Sequence, residues 1–164
     1  MRFTFYEGRQ SKKCNKEGNR SIGWTQEMTD CDQMTLEDRL RCAGLRPTRQ
    51  RVAIARLLLD GRHRHVSAES LSAEIRDSGV QMADGTVYNT LNQFTDAGLL
   101  RRVTVHNEYS LFDTNVDHHH HFYDADADRL IDIPADHVVL NSLPKAPDGH
   151  EIQSVDVTIN IRSR

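Results

Sequence analysis

Apolar side chains recur at helical spacing in four successive stretches, and this pattern predicts four helices. Thr35 is a capping residue for the first, Pro47 suits the first turn of the second, and Ser67 is a plausible N-cap for the third. A glycine follows each helix as its C-terminal stop. The predicted ranges are 35–44, 47–61, 67–79 and 84–98.

In the fourth helix Val87, Leu91 and Phe94 fall on one face, which predicts that this face is buried. After Gly98 the period changes to two on either side of His106-Asn107, as expected of a β-hairpin. Three helices followed by a hairpin predict a winged helix, with its helix-turn-helix ahead of the wing.

The remainder of the chain predicts a small α+β unit. Two strands are predicted, HHHHFYD and RLIDI, joined by the polar ADAD. A short helix that begins at Pro134 is predicted for PADHVVLNSL. EIQSVDVTINI alternates apolar and polar residues, which predicts a strand with one buried side. The fold class is therefore α+β, with the winged helix first.

Composition is that of an ordinary folded protein, with 164 residues, 37% hydrophobic and 27% charged. No apolar run approaches the roughly 20 residues of a membrane span, and the start lacks the apolar core of a secretion signal. We therefore expect a cytoplasmic protein with no membrane partner. Residues 1–27 show no period and are expected to be a poorly ordered leader, unless translation starts at Met28.

The net charge of −3 hides an uneven distribution, since residues 106–164 carry four basic and eleven acidic side chains. DNA binding depends on local basic clusters. Arg46, Arg49 and Arg51, at the start of the second helix, are predicted to contact phosphates. The alternative is that Arg49 and Arg51 pair with acids such as Asp38.

The fourth helix is the predicted DNA-reading helix, because the second helix of a helix-turn-helix enters the major groove. Thr86, Tyr88, Asn89 and Asn92 lie outside its apolar face, together with Thr90 and Gln93. Such side chains can hydrogen-bond to base edges with little charge to desolvate, and Tyr88 can also pack on a thymine methyl. Each alone is equally compatible with a solvated helix surface, so the prediction depends on the cluster.

Four consecutive histidines occupy residues 118–121. In a strand, His119 and His121 share one face, and His118 and His120 share the other. Either pair supplies half of a four-coordinate metal site, and the rest must come from elsewhere in the fold. A solvated surface run and a cloning tag are the alternatives, although tags lie at chain ends.

Four stretches, in this order and at these separations, resemble the ferric uptake regulator family of bacterial repressors: GLRPTRQRVAIARLL, HVSAESL, GTVYNTLNQFTDAGLLRR and HHHHFYDADADRLIDI. The resemblance covers about residues 36–161, and TVYNTLNQFTDAGLL with HHHFYD resembles the iron response regulator branch. It implies a homodimer that reads a pseudo-palindromic operator in double-stranded DNA. Residues 28–113 would form the winged-helix domain and residues 114–164 the dimerisation and sensing domain, with the last strand at the dimer interface.

The resemblance also implies ligands for a metal ion. His65 matches a family histidine, Asp113 lies near the family's glutamate at the end of the wing, and Asp132 matches the acid of LIDI, so these residues join His119 and His121. Imidazoles and carboxylates without sulfur suit Fe²⁺, Mn²⁺ or Zn²⁺. An ion held by both domains would set the spacing of the two DNA-reading helices.

The iron response regulator branch further implies haem, with His118, His119, His120 and His121 as the candidate axial ligands. In that branch the iron-free protein is the active repressor, so haem would end DNA binding, and a haem-delivering enzyme is an implied partner. The Cys-Pro haem motif of some members is absent, because no cysteine here precedes a proline.

Three departures from the family pattern narrow the metal chemistry. The chain has no CxxC pair, which removes the usual structural zinc site. Val139 and Val157 stand where a second site would have a glutamate and a histidine. The spacing from Asp113 to His121 is one residue shorter than the usual pattern, and this difference counts against Asp113 as a metal ligand.

Two other function classes compete with an iron-status-responsive transcription regulator. A small metalloenzyme could use the histidine run, but the sequence has no HExxH motif and no Gly-rich phosphate loop. A metal or haem store would leave the polar face of the fourth helix unused. The prediction is therefore a regulator and not an enzyme.

Overall fold

The computed structural model describes residues 34–106 and 109–163. The predicted leader and the Asn107 turn of the predicted hairpin lie outside these ranges. Among the described residues no helix is long and apolar enough to cross a bilayer. The elements are α1 Leu36–Cys42, α2 Arg49–Leu58, β1 His65–Val66, α3 Ala68–Asp77, α4 Asp84–Asp96, β2 Arg101–His106, β3 Tyr109–Asp113, β4 His119–Asp124, β5 Arg129–Pro134, a 3-10 turn Ala135–His137 and β6 Thr158–Ile161.

Three helices begin at hydroxyl caps, whereas α4 follows Ala83, which provides no side-chain capping hydrogen bond. The Thr35 hydroxyl accepts a hydrogen bond from the backbone N–H of Asp38 at 3.1 Å, and Ser67 forms a reciprocal capping box with Ser70. Both caps were predicted. Thr48 caps α2, so Pro47 lies outside the helix, and its predicted place in the first turn was wrong. The Thr48 side chain satisfies the N–H of Arg51, and this defines where α2 starts.

The four helices pack around one apolar core. Val87, Leu91 and Phe94 are fully buried, which confirms the predicted inward face of α4. Truncation of a buried phenylalanine typically costs about 3–5 kcal/mol, so Phe94 is a principal contributor to the stability of this unit. The buried members of this core are Leu40, Ile54, Ala55, Leu58, Leu59, Val66, Leu71, Ile75, Val87, Leu91, Phe94, Leu100 and Phe112.

The described strands form two three-stranded sheets, with orders β1-β3-β2 and β5-β4-β6. In the first, β2 and β3 pair as the predicted antiparallel wing. A second apolar cluster joins the sheets, because Val103, Val105 and Leu111 of the wing pack with Tyr123 and Leu130 of the second sheet. The wing therefore contacts the second sheet as well as extending the helical core.

Two predictions about the C-terminal part were wrong. The helix predicted from Pro134 is only the 3-10 turn Ala135–His137, because Val138 is extended (φ −112°, ψ 107°) and β-branched residues favour that conformation. The predicted last strand is shorter than expected, since only Thr158–Ile161 pairs, parallel to β4. Its predicted buried side is not covered within one chain, because Ile159 and Ile161 are 38% and 37% exposed.

Candidate metal centre and nucleic-acid interface

Side chains from both sheets meet in one cluster. His65 is the register partner of Asp113 in the first sheet, and His121 is the register partner of Asp132 in the second. His119 joins them because it lies two residues before His121 on the same face of β4. Each of the five offers one ligand atom, and these atoms all lie within 4.8 Å of one another. The structure thus brings together all five predicted metal ligands, which we call the His/Asp cluster.

The potential ligand atoms point at the same small space. His119 Nε2 lies 2.9 Å from His121 Nε2 and 2.9 Å from Asp113 Oδ2. His65 Nε2 lies 3.0 Å from Asp132 Oδ1. Despite these distances, His65 Nε2, Asp113 Oδ2 and Asp132 Oδ1 are buried without a hydrogen bond of acceptable geometry. Buried polar atoms without partners are costly, so the cluster fits a positive ion at its centre.

The protonation states favour metal binding. Burial by itself would raise the pKa of Asp113, which is fully buried. The nearby imidazoles of His121 and His65 lower it more, and the backbone N–H of Asn115 adds to the effect, so the pKa lies well below its usual range. His119 Nδ1 lies 2.8 Å from the Asp117 carbonyl oxygen, and this contact orients the ring with Nε2 directed into the cluster.

The donor set selects among ions. Three imidazoles and two carboxylates, without sulfur, suit Fe²⁺, Mn²⁺ or Zn²⁺. The residues present therefore fit the predicted divalent ions. The shorter spacing between Asp113 and His121 does not keep Asp113 out of the cluster, because its carboxylate reaches His119.

The other two histidines face away from the cluster, in agreement with the predicted alternation. The rings of His118 and His120 are 5.1 Å apart in an edge-to-face arrangement, with His118 exposed and His120 buried. The backbone N–H of Val157 donates to His120 Nδ1 at 3.4 Å. Burial lowers the pKa of His120, and the charges of His118 and Arg101 lower it further. The four predicted haem ligands are thus divided, since His119 and His121 belong to the His/Asp cluster, whereas His120 and His118, which directly precedes β4, lie apart from it.

The predicted DNA-reading residues differ in accessibility. Tyr88 is 49% exposed, Asn89 is exposed and Thr86 is half-buried. Thr90 is only 4% exposed and belongs to the buried side of the helix, so its predicted outward position was wrong. Asn92 accepts a hydrogen bond from Arg102 of the wing, and this contact links α4 to β2.

The predicted phosphate-binding arginines also differ in whether their guanidinium groups contact other residues. Arg51 donates two hydrogen bonds to the Gln93 amide oxygen, at 3.1 and 2.9 Å, and one to the Arg46 carbonyl at 2.8 Å. It therefore ties α2 to α4. Arg46 and Arg49 are exposed, and their guanidinium groups form no ion pair with any residue in the described ranges. Asp38, the proposed alternative partner, forms an ion pair with Arg41 at 2.7 Å.

Sequence reasoning missed a cation that joins the two sheets. Arg101, the first residue of the wing, forms an ion pair with Asp156. Its Nη1 also lies 3.4 Å from the carbonyl oxygens of Asp117 and His119. The only sequence signal was the pair of arginines at the start of β2, which indicates a basic wing but not a contact with the histidine strand.

A winged helix joined to a second sheet through a His/Asp cluster defines the class of metal-responsive winged-helix regulators. The model of the ferric uptake regulator family matches residues 42–162, so this chain belongs to that family. The family consists of transcription regulators, which confirms the predicted class and excludes the metalloenzyme alternative.

Similar proteins agree with the family. The ferric uptake regulation protein of Shigella flexneri is 37% identical over 100 residues, which is 60% of this chain and 68% of that protein. The ferric uptake regulation protein of Vibrio anguillarum is 32% identical over 115 residues, which is 70% of this chain and 76% of that protein. Among solved structures, the ferric uptake regulator from Pseudomonas aeruginosa with manganese has a TM-score of 0.61 at 26% identity, covering 80% of this chain and 99% of that one. The structure of the Vibrio cholerae ferric uptake regulator has the same TM-score at 24% identity and covers 77% of this chain and 98% of that one. This likeness supports the fold.

Proposed function

We propose that this protein is an iron-status-responsive transcription regulator whose DNA binding is controlled by a divalent metal at the His/Asp cluster. The observation that carries the proposal is the convergence of five ligand atoms from two sheets within 4.8 Å. The solved relative from Pseudomonas aeruginosa was determined with manganese, in keeping with the proposed ion. The expected site of action is the cytoplasm, where bacterial DNA is accessible.

The cluster spans the proposed domain boundary after Asp113, since β3 ends there and β4 starts at His119. A bound divalent cation would supply the positive charge that the converging carboxylates and imidazole nitrogens lack. His65 and Asp113 would then be held against His119, His121 and Asp132, so the orientation of the two sheets would become fixed. Two copies of α4 in a dimer would be held at a defined separation, which sets their fit to successive major grooves.

The proposed homodimer interface includes the outer side of β6. Ile159 and Ile161 expose an apolar surface in the single chain, next to the half-buried Val157. An exposed apolar strand face is typical of a surface covered by a partner. We infer that a second copy covers it and that the dimer reads a pseudo-palindromic operator.

On the DNA side, Tyr88, Asn89 and Thr86 are the proposed base contacts, because they lie on the accessible part of the reading helix. Arg46 and Arg49 are the proposed phosphate contacts. Asn92 and Arg51 have internal hydrogen-bond partners, so we now propose that they orient α4, in place of direct DNA contact.

Haem is the second proposed ligand, in line with the resemblance to the iron response regulator branch. The exposed His118 ring beside His120 supports it, because these imidazoles are separate from the His/Asp cluster and one is accessible. Haem bound there would end DNA binding, and an enzyme that delivers haem would be a partner. A store of metal or haem would not require the exposed reading face of α4.

Fluorescence anisotropy tests the proposed function. The full chain is titrated into labelled promoter DNA of iron-uptake genes and into random DNA of equal length, with chelator, with Mn²⁺ or with haem. We expect sequence-selective binding in at least one state, and an affinity change between states of about 5–150-fold, the usual range of allosteric coupling. The Tyr88→Ala variant should lose selectivity but retain nonspecific binding. Absence of selectivity in every state would exclude a regulator.

A further inference from the structure

Asn115 lies in the connection between the two sheets and contacts a carboxylate from each. Its backbone N–H donates to Asp113 Oδ1 at 2.8 Å, and its side-chain amide Nδ2 donates to Asp132 Oδ2 at 3.4 Å. Its own Oδ1 accepts from the backbone N–H of Asp117 at 3.2 Å. Asn115 therefore binds two members of the His/Asp cluster while its side chain is held by a third aspartate's backbone.

The oxygen atoms that Asn115 contacts are the ones that face away from the imidazoles. Asp113 Oδ1 and Asp132 Oδ2 receive its hydrogen bonds. The opposite oxygens, Asp113 Oδ2 and Asp132 Oδ1, point into the cluster and are buried without a hydrogen-bond partner. The backbone N–H and the side-chain amide of one residue thus bind the outer oxygens of both carboxylates and leave the inner oxygens directed at the imidazoles. Hydrogen bonds to the outer oxygen of a metal-binding carboxylate orient that ligand.

The amide group is chemically suited to this position. It donates to a carboxylate at one end and accepts from a peptide N–H at the other, which a carboxylate in its place could not do. The backbone beside it is also anchored, because the Thr114 N–H donates to the Arg64 carbonyl at 3.1 Å, and the Arg64 N–H donates to the Thr114 hydroxyl at 2.9 Å. Arg64 directly precedes His65, so the same contacts connect Asn115 to a third cluster member.

We propose that Asn115 is a positioning residue of the metal site, one that orients the carboxylates of Asp113 and Asp132 toward a single ion across the two sheets. The proposal rests on the proposed function, since it assumes that the cluster binds a divalent metal. It goes further because it assigns the short connection between the sheets to the metal site itself.

The test compares wild type, Asn115→Ala and Asn115→Ser, with the exposed Asn141→Ala as matched control. Mn²⁺ affinity is measured by electron paramagnetic resonance, and the coordination geometry by the visible absorption of Co²⁺. We expect both Asn115 variants to lose about 10–100-fold in Mn²⁺ affinity, as is usual when a hydrogen bond to a metal ligand is removed, and to show an altered Co²⁺ spectrum. Serine can still accept from Asp117 but cannot reach Asp132, so it preserves the local turn if alanine disturbs it.

A mutant cycle with Asp132 separates positioning from a general loss of structure. If Asn115 acts through that carboxylate, Asn115→Ala should weaken Mn²⁺ binding much less in an Asp132→Ala background. Equal affinity and an unchanged Co²⁺ spectrum for wild type and both Asn115 variants would overturn the inference alone, and so would equal losses in both backgrounds. A wild-type protein that binds neither ion would overturn the proposed function and the inference with it.

Discussion

Whether an arginine side chain in this protein is available to bind a DNA phosphate depends on the protein atoms that it already contacts. Arg49 and Arg51 are two residues apart, yet only Arg51 is engaged, through its hydrogen bonds to Gln93. A guanidinium that orients two helices is less available to a phosphate than an exposed one. We therefore propose that Arg49 contacts DNA phosphates directly and that Arg51 supports α4.

Replacement of Arg49 by alanine should weaken DNA binding uniformly across sequences and reduce the slope of log affinity against log salt by about 1, because one phosphate contact is lost. Arg51→Ala should instead lower sequence selectivity, since α4 loses its connection to α2. Arg129→Ala, on the exposed edge of the second sheet, is the charge-matched control. An unchanged salt slope for Arg49→Ala would contradict the assignment.

The residues of the candidate metal site show which contacts a sequence pattern can predict and which it cannot. His119 and His121 could be paired from strand alternation alone, because that signal is local. His65, Asp113 and Asp132 came only from the resemblance to a family, since they are distant in sequence from one another. Asn115 was missed because its contact with Asp132 spans 17 residues and follows from the register of β4 and β5.

At the scale of elements, local capping signals predicted the starts of α1 and α3 but not that of α2. The capping box of α3 is a clear case, since both reciprocal hydrogen bonds of Ser67 and Ser70 are present at 3.0 Å. The C-terminal segment was predicted poorly. Its apolar pattern contains no comparable cap after Pro134, and the extent of β6 depends on pairing with β4, which periodicity does not report.

The Ser67→Ala substitution should lower the free energy of unfolding by about 1 kcal/mol, because the N-terminus of α3 loses its side-chain cap. Thermal unfolding of the metal-free protein measures the effect as a decrease of a few degrees in Tm. Ser142→Ala, at an exposed position outside the helices and strands, should leave Tm unchanged. Equal Tm values for the two variants would show that the capping box does not stabilise α3.

At the scale of the whole molecule, the two sheets are coupled in three ways. They share the apolar cluster of Val103, Val105, Leu111, Tyr123 and Leu130. Arg101 of the first sheet contacts the His119 carbonyl oxygen of β4 and forms an ion pair with Asp156, which precedes β6, and the His/Asp cluster contains residues of both sheets. The first two contacts are made between protein atoms alone, whereas the third contains buried atoms without hydrogen-bond partners, which a cation would satisfy. Under the proposed function, metal binding is therefore the step that changes how firmly the helical unit with α4 is held against the second sheet.

The most direct test measures the effect of Mn²⁺ on the DNA affinity of the His119→Ala/His121→Ala variant. Wild type and the control variant His63→Ala/His137→Ala, whose substituted histidines are exposed, should each change operator affinity by about tenfold or more on adding Mn²⁺. The His119→Ala/His121→Ala variant should keep its secondary structure by circular dichroism and bind DNA equally with and without Mn²⁺. A full response to Mn²⁺ in that variant would contradict metal control through the His/Asp cluster.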